Sequence, residues 1–187
     1  MKKERFNEWY KEEGKKWLER TKKYLKNKDK WENNKLKGAI SECLVEQMLI
    51  SEDYIVYRFG YESAIQHLKN IRNFQKNSPV GKMIRQLPDF IVVSKEGEPN
   101  FVEVKYRKGG EFKKNDEENL KKLGENWRET IIILVSNKEP FFKITKIKDY
   151  LERDKFWTLE NNPYLGIDKE RLEYYKNLAF IYYTGIA

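Results

Sequence analysis

Short apolar runs separated by turn residues organise the middle of the sequence. Residues 90–93 are all apolar, and residues 101–106 alternate between apolar and polar side chains, so each segment predicts a β-strand. The intervening residues 95–100, Lys-Glu-Gly-Glu-Pro-Asn, have the composition of a turn, and we expect a β-hairpin. Residues 130–135 are apolar almost throughout, which is typical of a strand buried on both faces.

The first fifty residues predict two helices. In residues 3–27, aromatic and aliphatic side chains recur near the helical period, with Lys, Arg and Glu between them. Residues 28–37 are polar and are expected to connect this helix to a second one over residues 38–51. The second helix is apolar nearly all round, which indicates that it is buried.

The remaining elements indicate an α/β fold. Residues 54–59 have strand composition, residues 115–126 predict an amphipathic helix, and residues 61–87 form a long insertion with a short helix expected at 63–74. The resulting order is helix, strand, hairpin, helix, strand. This order predicts a mixed central sheet flanked by helices.

Three segments are expected along the chain. Residues 1–36 are a basic helical extension, residues 37–139 are the core, and residues 140–187 are a helical and aromatic extension that packs on the core. Within the last segment we expect two short helices and a final strand at 180–183.

Composition narrows the range of functions. A single Cys excludes an internal disulfide framework. A single His argues strongly against His-based metal clusters and against a Ser-His-Asp triad. The net charge is +8, with 14 basic and 7 acidic residues in residues 1–37, so a polyanionic partner is indicated. No apolar run suits a membrane span or a signal peptide, so we expect a cytoplasmic protein without a membrane partner.

One group of residues carries candidate chemistry. Glu103 and Lys105 are two apart on a predicted strand and therefore share a face, while Asp89 stands at the base of the paired strand. Two carboxylates and an ammonium on one face are costly unless they are solvated or bind something, and oxygen ligands favour Mg²⁺ or Mn²⁺. Two carboxylates that hold a divalent cation next to a lysine are suited to metal-dependent phosphodiester hydrolysis. The alternative is the exposed face of an ordinary charged hairpin.

The predicted helix at 38–51 adds two acids. Glu42 and Glu46 are four apart and share one narrow sector of an otherwise apolar helix. We expect at least one of them to serve the site, and the alternative is that both emerge into a solvent groove. Gly38, at the expected helix start, permits close backbone approach.

These residues resemble a known family, the PD-(D/E)xK nuclease superfamily, and are similar to archaeal-type Holliday-junction resolvases and RecB-like nucleases. The resemblance covers residues 37–135 and rests on three motifs: Gly38-x-x-x-Glu42, Pro88-Asp89 and Glu103-Val104-Lys105. It implies a restriction-endonuclease-like core in which Asp89, Glu103, Glu42 and the Val104 carbonyl hold Mg²⁺ or Mn²⁺ and Lys105 is the catalytic lysine. It also suggests a homodimer.

The expected partner is DNA, double-stranded or branched rather than RNA. Five further residues are candidates for its contacts: Arg58, Arg85, Tyr106, Arg107 and Lys108. The leading hypothesis is thus a Mg²⁺-dependent DNA endonuclease. The alternatives are a nucleic-acid-binding protein without catalysis and an interaction module with an incidental charged hairpin.

Overall fold

Six strands form one mixed sheet, and their order across the sheet is their order in the sequence. The computed structural model describes residues 30–60, 75 and 77–184 of the 187-residue chain. The strands are β1 (Ile55–Arg58), β2 (Phe90–Val93), β3 (Pro99–Tyr106), β4 (Ile131–Val135), β5 (Phe142–Lys146) and β6 (Trp157–Thr158). Among these strands β3 and β4 are parallel, and the other neighbours are antiparallel.

Helices cover both faces of the sheet. In the described part of the chain they are α1 (Lys30–Ser51), α2 (Pro79–Arg85), α3 (Lys114–Trp127), α4 (Ile147–Arg153) and α5 (Lys169–Thr184). Helices α1 and α5 pack on one face, where Ile40 and Leu172 join a cluster with Val104 and Ile133. Helices α3 and α4 pack on the other face around Ile132. The chain is therefore an α/β protein with an open mixed sheet.

The central strand β4 is buried along its whole length, as its composition predicts. Successive side chains of β4 point to opposite faces of the sheet. Ile131 and Ile133 pack in the cluster on the α1 face, and Ile132 packs in the cluster on the α3 face. The predicted hairpin is also confirmed, with Phe90 opposite Val102 in the β2–β3 ladder. The β2–β3 pairing fixes the positions of the residues next to this pair, Asp89 before Phe90 and Glu103 after Val102.

Two predictions about element boundaries are wrong. The predicted connector at 28–37 is helical from Lys30 onward, because residues 30–37 contain no Pro or Gly and polar side chains do not by themselves stop a helix. The strand predicted at 180–183 lies inside α5. Tyr182 and Tyr183 continue the helical spacing of the buried residues Leu172, Tyr175 and Ala179, whereas Phe180 is exposed.

The region after residue 140 contains the two expected helices, α4 and α5, and also two strands that were not predicted. It contributes β5 and β6 to the sheet, with Ile144 opposite Ile133 of β4. The helices predicted at 3–27 and 63–74 lie outside the described residues. No described helix has the length and apolar character needed to cross a membrane.

Candidate active site

Asp89 and Glu103 meet where the β2–β3 hairpin ladder ends. Phe90 of β2 pairs with Val102 of β3, so the next positions along the two antiparallel strands are Asp89 and Glu103. The proline before Asp89 is buried, and it precedes the strand as the sequence suggests. The hairpin register therefore brings the two acids together.

A set of hydrogen bonds fixes both carboxylates. The backbone N–H of Asp89 donates to Oε2 of Glu103 at 3.2 Å, and the backbone N–H of Val104 donates to Oδ2 of Asp89 at 2.8 Å. The Asp89 carbonyl in turn accepts hydrogen bonds from the N–H groups of Phe59 at 2.8 Å and Gly60 at 3.1 Å. Three strands thus determine where the two acids lie.

Lys105 completes the group on β3. Its ammonium forms an ion pair with Oε1 of Glu103, two residues away on the same face. The Glu103 side chain is only 9% exposed, and that of Lys105 is 33% exposed. The acid is therefore held inside the protein while the lysine reaches toward solvent.

The electrostatics of the group follow from burial and from the proximity of like charges. Burial raises the pKa of the Asp89 carboxyl to about 8, and the neighbouring Glu103 carboxylate adds to the increase. Burial alone would lower the pKa of the Lys105 ammonium, but the carboxylates of Glu103 and Asp89 outweigh it and raise that pKa above its ordinary value. At neutral pH the lysine is therefore charged, and Asp89 holds a proton.

This donor set fits a hard divalent cation. Mg²⁺ is commonly bound through one or two carboxylates while keeping several waters, and a cation would offset both the burial of Asp89 and its repulsion from Glu103. The Val104 carbonyl points to the same side of β3 as its N–H, which contacts Asp89, so it faces the same position. Asp89, Glu103 and the Val104 carbonyl are thus the groups that could hold the ion.

Glu42, the helix carboxylate expected at the site, is not grouped with this pair in the structure. Among the described residues, no three His, Cys, Asp or Glu side chains are grouped closely enough to hold a metal ion. Glu42 lies on α1, and its charge contributes to the raised pKa of Asp89. Its influence on the site in this structure is therefore electrostatic.

A cavity of about 260 Å³ lies beside the group. Glu103 and Lys105 form part of its wall, whereas Asp89 does not. The other described residues that line it come from α2, α3 and the segments that follow α2 and β3: Arg85, Gln86, Leu87, Arg107, Phe112, Asp116, Asn119, Leu120, Lys122 and Leu123. A small polar ligand in this cavity would contact Lys105 directly.

Arg107 extends the basic face of β3 into the cavity. It lies two residues beyond Lys105, and its guanidinium forms a bidentate ion pair with Asp116 in the first turn of α3. The hydrogen bond from Arg107 holds the pKa of the Asp116 carboxyl below its usual value. The arginine is therefore oriented before any ligand arrives.

The other predicted contact residues are dispersed. Arg58 pairs with Glu46 of α1 and lies over the Phe90 ring, while Tyr106 points to the opposite face of the sheet and stacks on Tyr183 at 4.8 Å. Lys108 is exposed beyond the end of β3. Side chains alternate between the two faces along a strand. Because Lys105 and Arg107 lie on the cavity face, Tyr106 between them points to the opposite face.

Sequence reasoning missed the contribution of α3. Asp116, Asn119 and Lys122 line the cavity, and only Asp116 carries a detectable signal, as an acid in the first turn of a predicted helix that follows a basic strand end. Nothing in the sequence indicates which face of α3 is turned toward β3. Comparison with protein-family models, with curated proteins and with solved structures gives no match.

Proposed function

We propose that this protein is a metal-dependent DNA nuclease, an endonuclease that hydrolyses phosphodiester bonds. The observation that carries the proposal is the grouping of Asp89, Glu103 and Lys105 at the end of the β2–β3 ladder beside a cavity. Two adjacent acids with one strongly raised pKa are a costly arrangement that a bound cation relieves. The basic character of the chain supports a polyanionic substrate.

The chemistry divides between the cation and the protein. Asp89 and Glu103, with the Val104 carbonyl, would hold Mg²⁺ or Mn²⁺, which when bound supplies positive charge that polarises the phosphoryl group. Lys105 remains protonated and is therefore a donor rather than a base. Its ammonium orients the attacking water and stabilises negative charge that develops on the phosphoryl oxygens.

The reaction is an in-line hydrolysis. The oxygen of a water molecule forms a bond to phosphorus while the bond between phosphorus and the 3′ oxygen breaks. The attacking water loses one proton, and the leaving 3′ oxygen gains one. Arg107 is positioned to contact a phosphate oxygen, since Asp116 already orients its guanidinium.

The element order of the described chain supports a restriction-endonuclease-like core as the finer description of the fold. Helix α1, strand β1, the β2–β3 hairpin, helix α3 and strand β4 follow the expected order, and β5 and β6 extend the sheet beyond it. We propose this core, and membership of the PD-(D/E)xK superfamily, together with the activity.

A plasmid-nicking assay tests the proposal. Purified protein should convert supercoiled DNA to nicked and linear forms with Mg²⁺ or Mn²⁺ and should be inactive with EDTA. Glu103→Gln should lower the rate by at least about 100-fold, because it removes one ligand charge and the partner of Lys105. Glu118→Gln, an exposed acid on α3, is the matched control and should keep the wild-type rate.

A second candidate function is nucleic-acid binding without hydrolysis. It is favoured by the finding that, within the described part of the chain, no third His, Cys, Asp or Glu side chain joins the two acids. The same assay separates the two functions. DNA binding that persists while plasmid, branched and single-stranded DNA all stay uncut with either cation would favour binding alone.

A further inference from the structure

A second cavity, of about 700 Å³, adjoins the one beside Lys105 and lies between α2 and α3. The two cavities share the wall residues Arg85, Gln86, Asn119 and Lys122. Together they form a continuous groove, called the α2–α3 groove below. It leads from the candidate active site along the space between the two helices.

Three cations and one exposed acid, Glu125, line the cavity between α2 and α3, so positive charge is in excess there. Lys82 and Arg85 of α2 and Lys122 of α3 are exposed, and none of them forms an ion pair with a described acidic residue. Some basic side chains elsewhere in the described chain do have acidic partners, as Arg58 and Lys176 have. Three unpaired cations along one groove favour an extended anion.

The groove also carries side-chain amides. Gln86, Asn119 and Asn126 lie in its wall, and Asn126 Nδ2 donates to Gln86 Oε1 at 3.3 Å, which links the two helices. Amides of this kind donate to and accept from the edges of nucleic-acid bases. The exposed side chain of Met83 offers an apolar contact for a base face beside them.

The dimensions of the groove decide which form of DNA it accepts. Cavities of 260 and 700 Å³ lie near the range of roughly 300–1,000 Å³ that holds drug-sized ligands. That space suits a few nucleotides of one strand, whereas a duplex is too wide to enter a cavity of this size between the two helices. Base edges are available to amides in an unpaired strand.

Building on the proposed nuclease function, we propose that the α2–α3 groove binds a single DNA strand next to the phosphate that is cleaved. Lys82, Arg85 and Lys122 contact successive phosphates, and the amides of Gln86, Asn119 and Asn126 contact bases. The preferred substrate is therefore DNA with an unpaired segment beside the scissile bond, such as a flap, a branch or a single strand.

The salt dependence of binding tests the groove without any cleavage. Fluorescence anisotropy with a single-stranded oligonucleotide in EDTA gives the slope of log affinity against log salt concentration. The triple variant Lys82→Gln, Arg85→Gln, Lys122→Gln should lose about 2 units of slope, since each phosphate contact on a single strand contributes about 0.7. The control triple variant Lys95→Gln, Lys121→Gln, Lys169→Gln has the same charge change on exposed residues outside the groove.

The control variant should keep a slope within about half a unit of the wild type, which is less than one phosphate contact. Equal slopes for the two triple variants, or no affinity of the wild type for single-stranded DNA, would overturn the groove proposal. Circular dichroism melting of each variant establishes that it is folded. If a groove variant fails to fold, the single substitutions Lys82→Gln and Lys122→Gln replace it, each with an expected loss of about 0.7.

Cleavage of matched substrates provides the second test. With Mg²⁺, wild-type protein should cut a flapped duplex at least about tenfold faster than an uninterrupted duplex of the same sequence, and the groove variant should lose most of this preference. Equal rates on both substrates would contradict the proposal. Because the salt slope is measured in EDTA, a protein that binds through the groove but never cuts would refute the nuclease function and leave the groove intact.

Discussion

Asp89 and Glu103 face each other across the end of the β2–β3 ladder, and the backbone N–H of Asp89 donates a hydrogen bond to the Glu103 carboxylate. Side chains 14 positions apart in sequence thereby share one buried position. Burial, with the nearby Glu103 carboxylate, raises the pKa of Asp89, and Glu103 forms an ion pair with the ammonium of Lys105. Four properties of the protein follow from this arrangement and from the packing around it.

The stability of the metal-free protein should fall between about pH 4 and pH 8. The pKa of Asp89 rises from its ordinary value of 3.8 to about 8 on folding, so the folded state binds the extra proton in this range. The free energy of unfolding should therefore decrease as pH rises, by up to about 1.4 kcal/mol per pH unit. Urea denaturation in EDTA across this pH range measures the slope.

Asp89→Asn is the matched variant for that measurement, since the amide at position 89 cannot titrate. Its stability curve should be flatter than that of the wild type, and the two should diverge most between pH 5 and 8. Parallel curves would show that Asp89 titrates normally in the folded protein. Saturating Mg²⁺ should flatten the wild-type curve, because a bound cation favours the ionised carboxyl.

Asp116 should show the opposite dependence on pH. Its pKa is lowered on folding by the hydrogen bond from Arg107, so its contribution is present at neutral pH and is lost as pH falls through the lowered pKa. Asp116 also accepts a hydrogen bond from the N–H of Lys113 at the start of α3, at 2.9 Å. Asp116→Asn should cost about 1 kcal/mol at pH 7.

The cost of Asp116→Asn should shrink as the pH approaches 3, where the wild-type carboxyl also becomes protonated. Thermal melting of the two proteins at pH 7 and pH 3 gives the comparison. A stability difference that stays constant with pH would contradict the ion pair with Arg107.

Lys105→Gln should separate catalysis from binding. The variant loses the charged donor that faces the cavity, so the cleavage rate with Mg²⁺ should fall by about 100-fold. Affinity for DNA in EDTA should fall by less than about threefold, because surface lysines elsewhere supply most of the attraction. Lys121→Gln, an exposed lysine on α3, is the control for both measurements. An equal loss of rate and affinity in Lys105→Gln would contradict a role in the chemical step.

Gly124 and Gly38 should respond differently to alanine. Both lie in helices, where replacing Gly by Ala ordinarily stabilises by roughly 1 kcal/mol. A Cβ at Gly124 would lie 2.9 Å from Ile147 Cγ2 of α4, whereas a Cβ at Gly38 meets no described atom within 4 Å. Gly124→Ala should therefore destabilise, since overpacking costs about 1–3 kcal/mol, and Gly38→Ala should stabilise.

Chemical denaturation of the two variants provides the check. An increase in the free energy of unfolding for Gly124→Ala would contradict the close packing of α3 on α4. The expectation of close backbone approach at Gly38 is wrong, since a Cβ there would meet no described atom within 4 Å. Gly38 also lies within α1, which begins at Lys30, rather than at the helix start.

The sequence predicts local features well where one physical constraint dominates. The run at 131–135 has to be a buried strand because every side chain in it is apolar, and the hairpin follows from two strand-like segments around a turn that contains Gly97 and Pro99. The grouping of Asp89 with Glu103 follows from the same hairpin, since an antiparallel pair fixes which residues are opposite. Local periodicity is sufficient for these features.

Features that depend on packing between distant elements are harder to predict. The face that α3 turns toward the cavity, and so the roles of Asn119 and Lys122, depends on contacts with β3 and α2 that no local pattern specifies. The segment at 180–183 is rich in aromatic residues, which suit both strands and buried helices, and its helical state depends on packing against α1.

The central claim, that Asp89 and Glu103 share a divalent cation, is tested most directly by crystals of the protein soaked in Mn²⁺. An anomalous difference map at the manganese edge should show one peak within about 2.5 Å of an oxygen of each carboxylate, and crystals of Asp89→Asn should lack it. Wild-type crystals with well-ordered Asp89 and Glu103 side chains and no manganese peak between them would contradict the account.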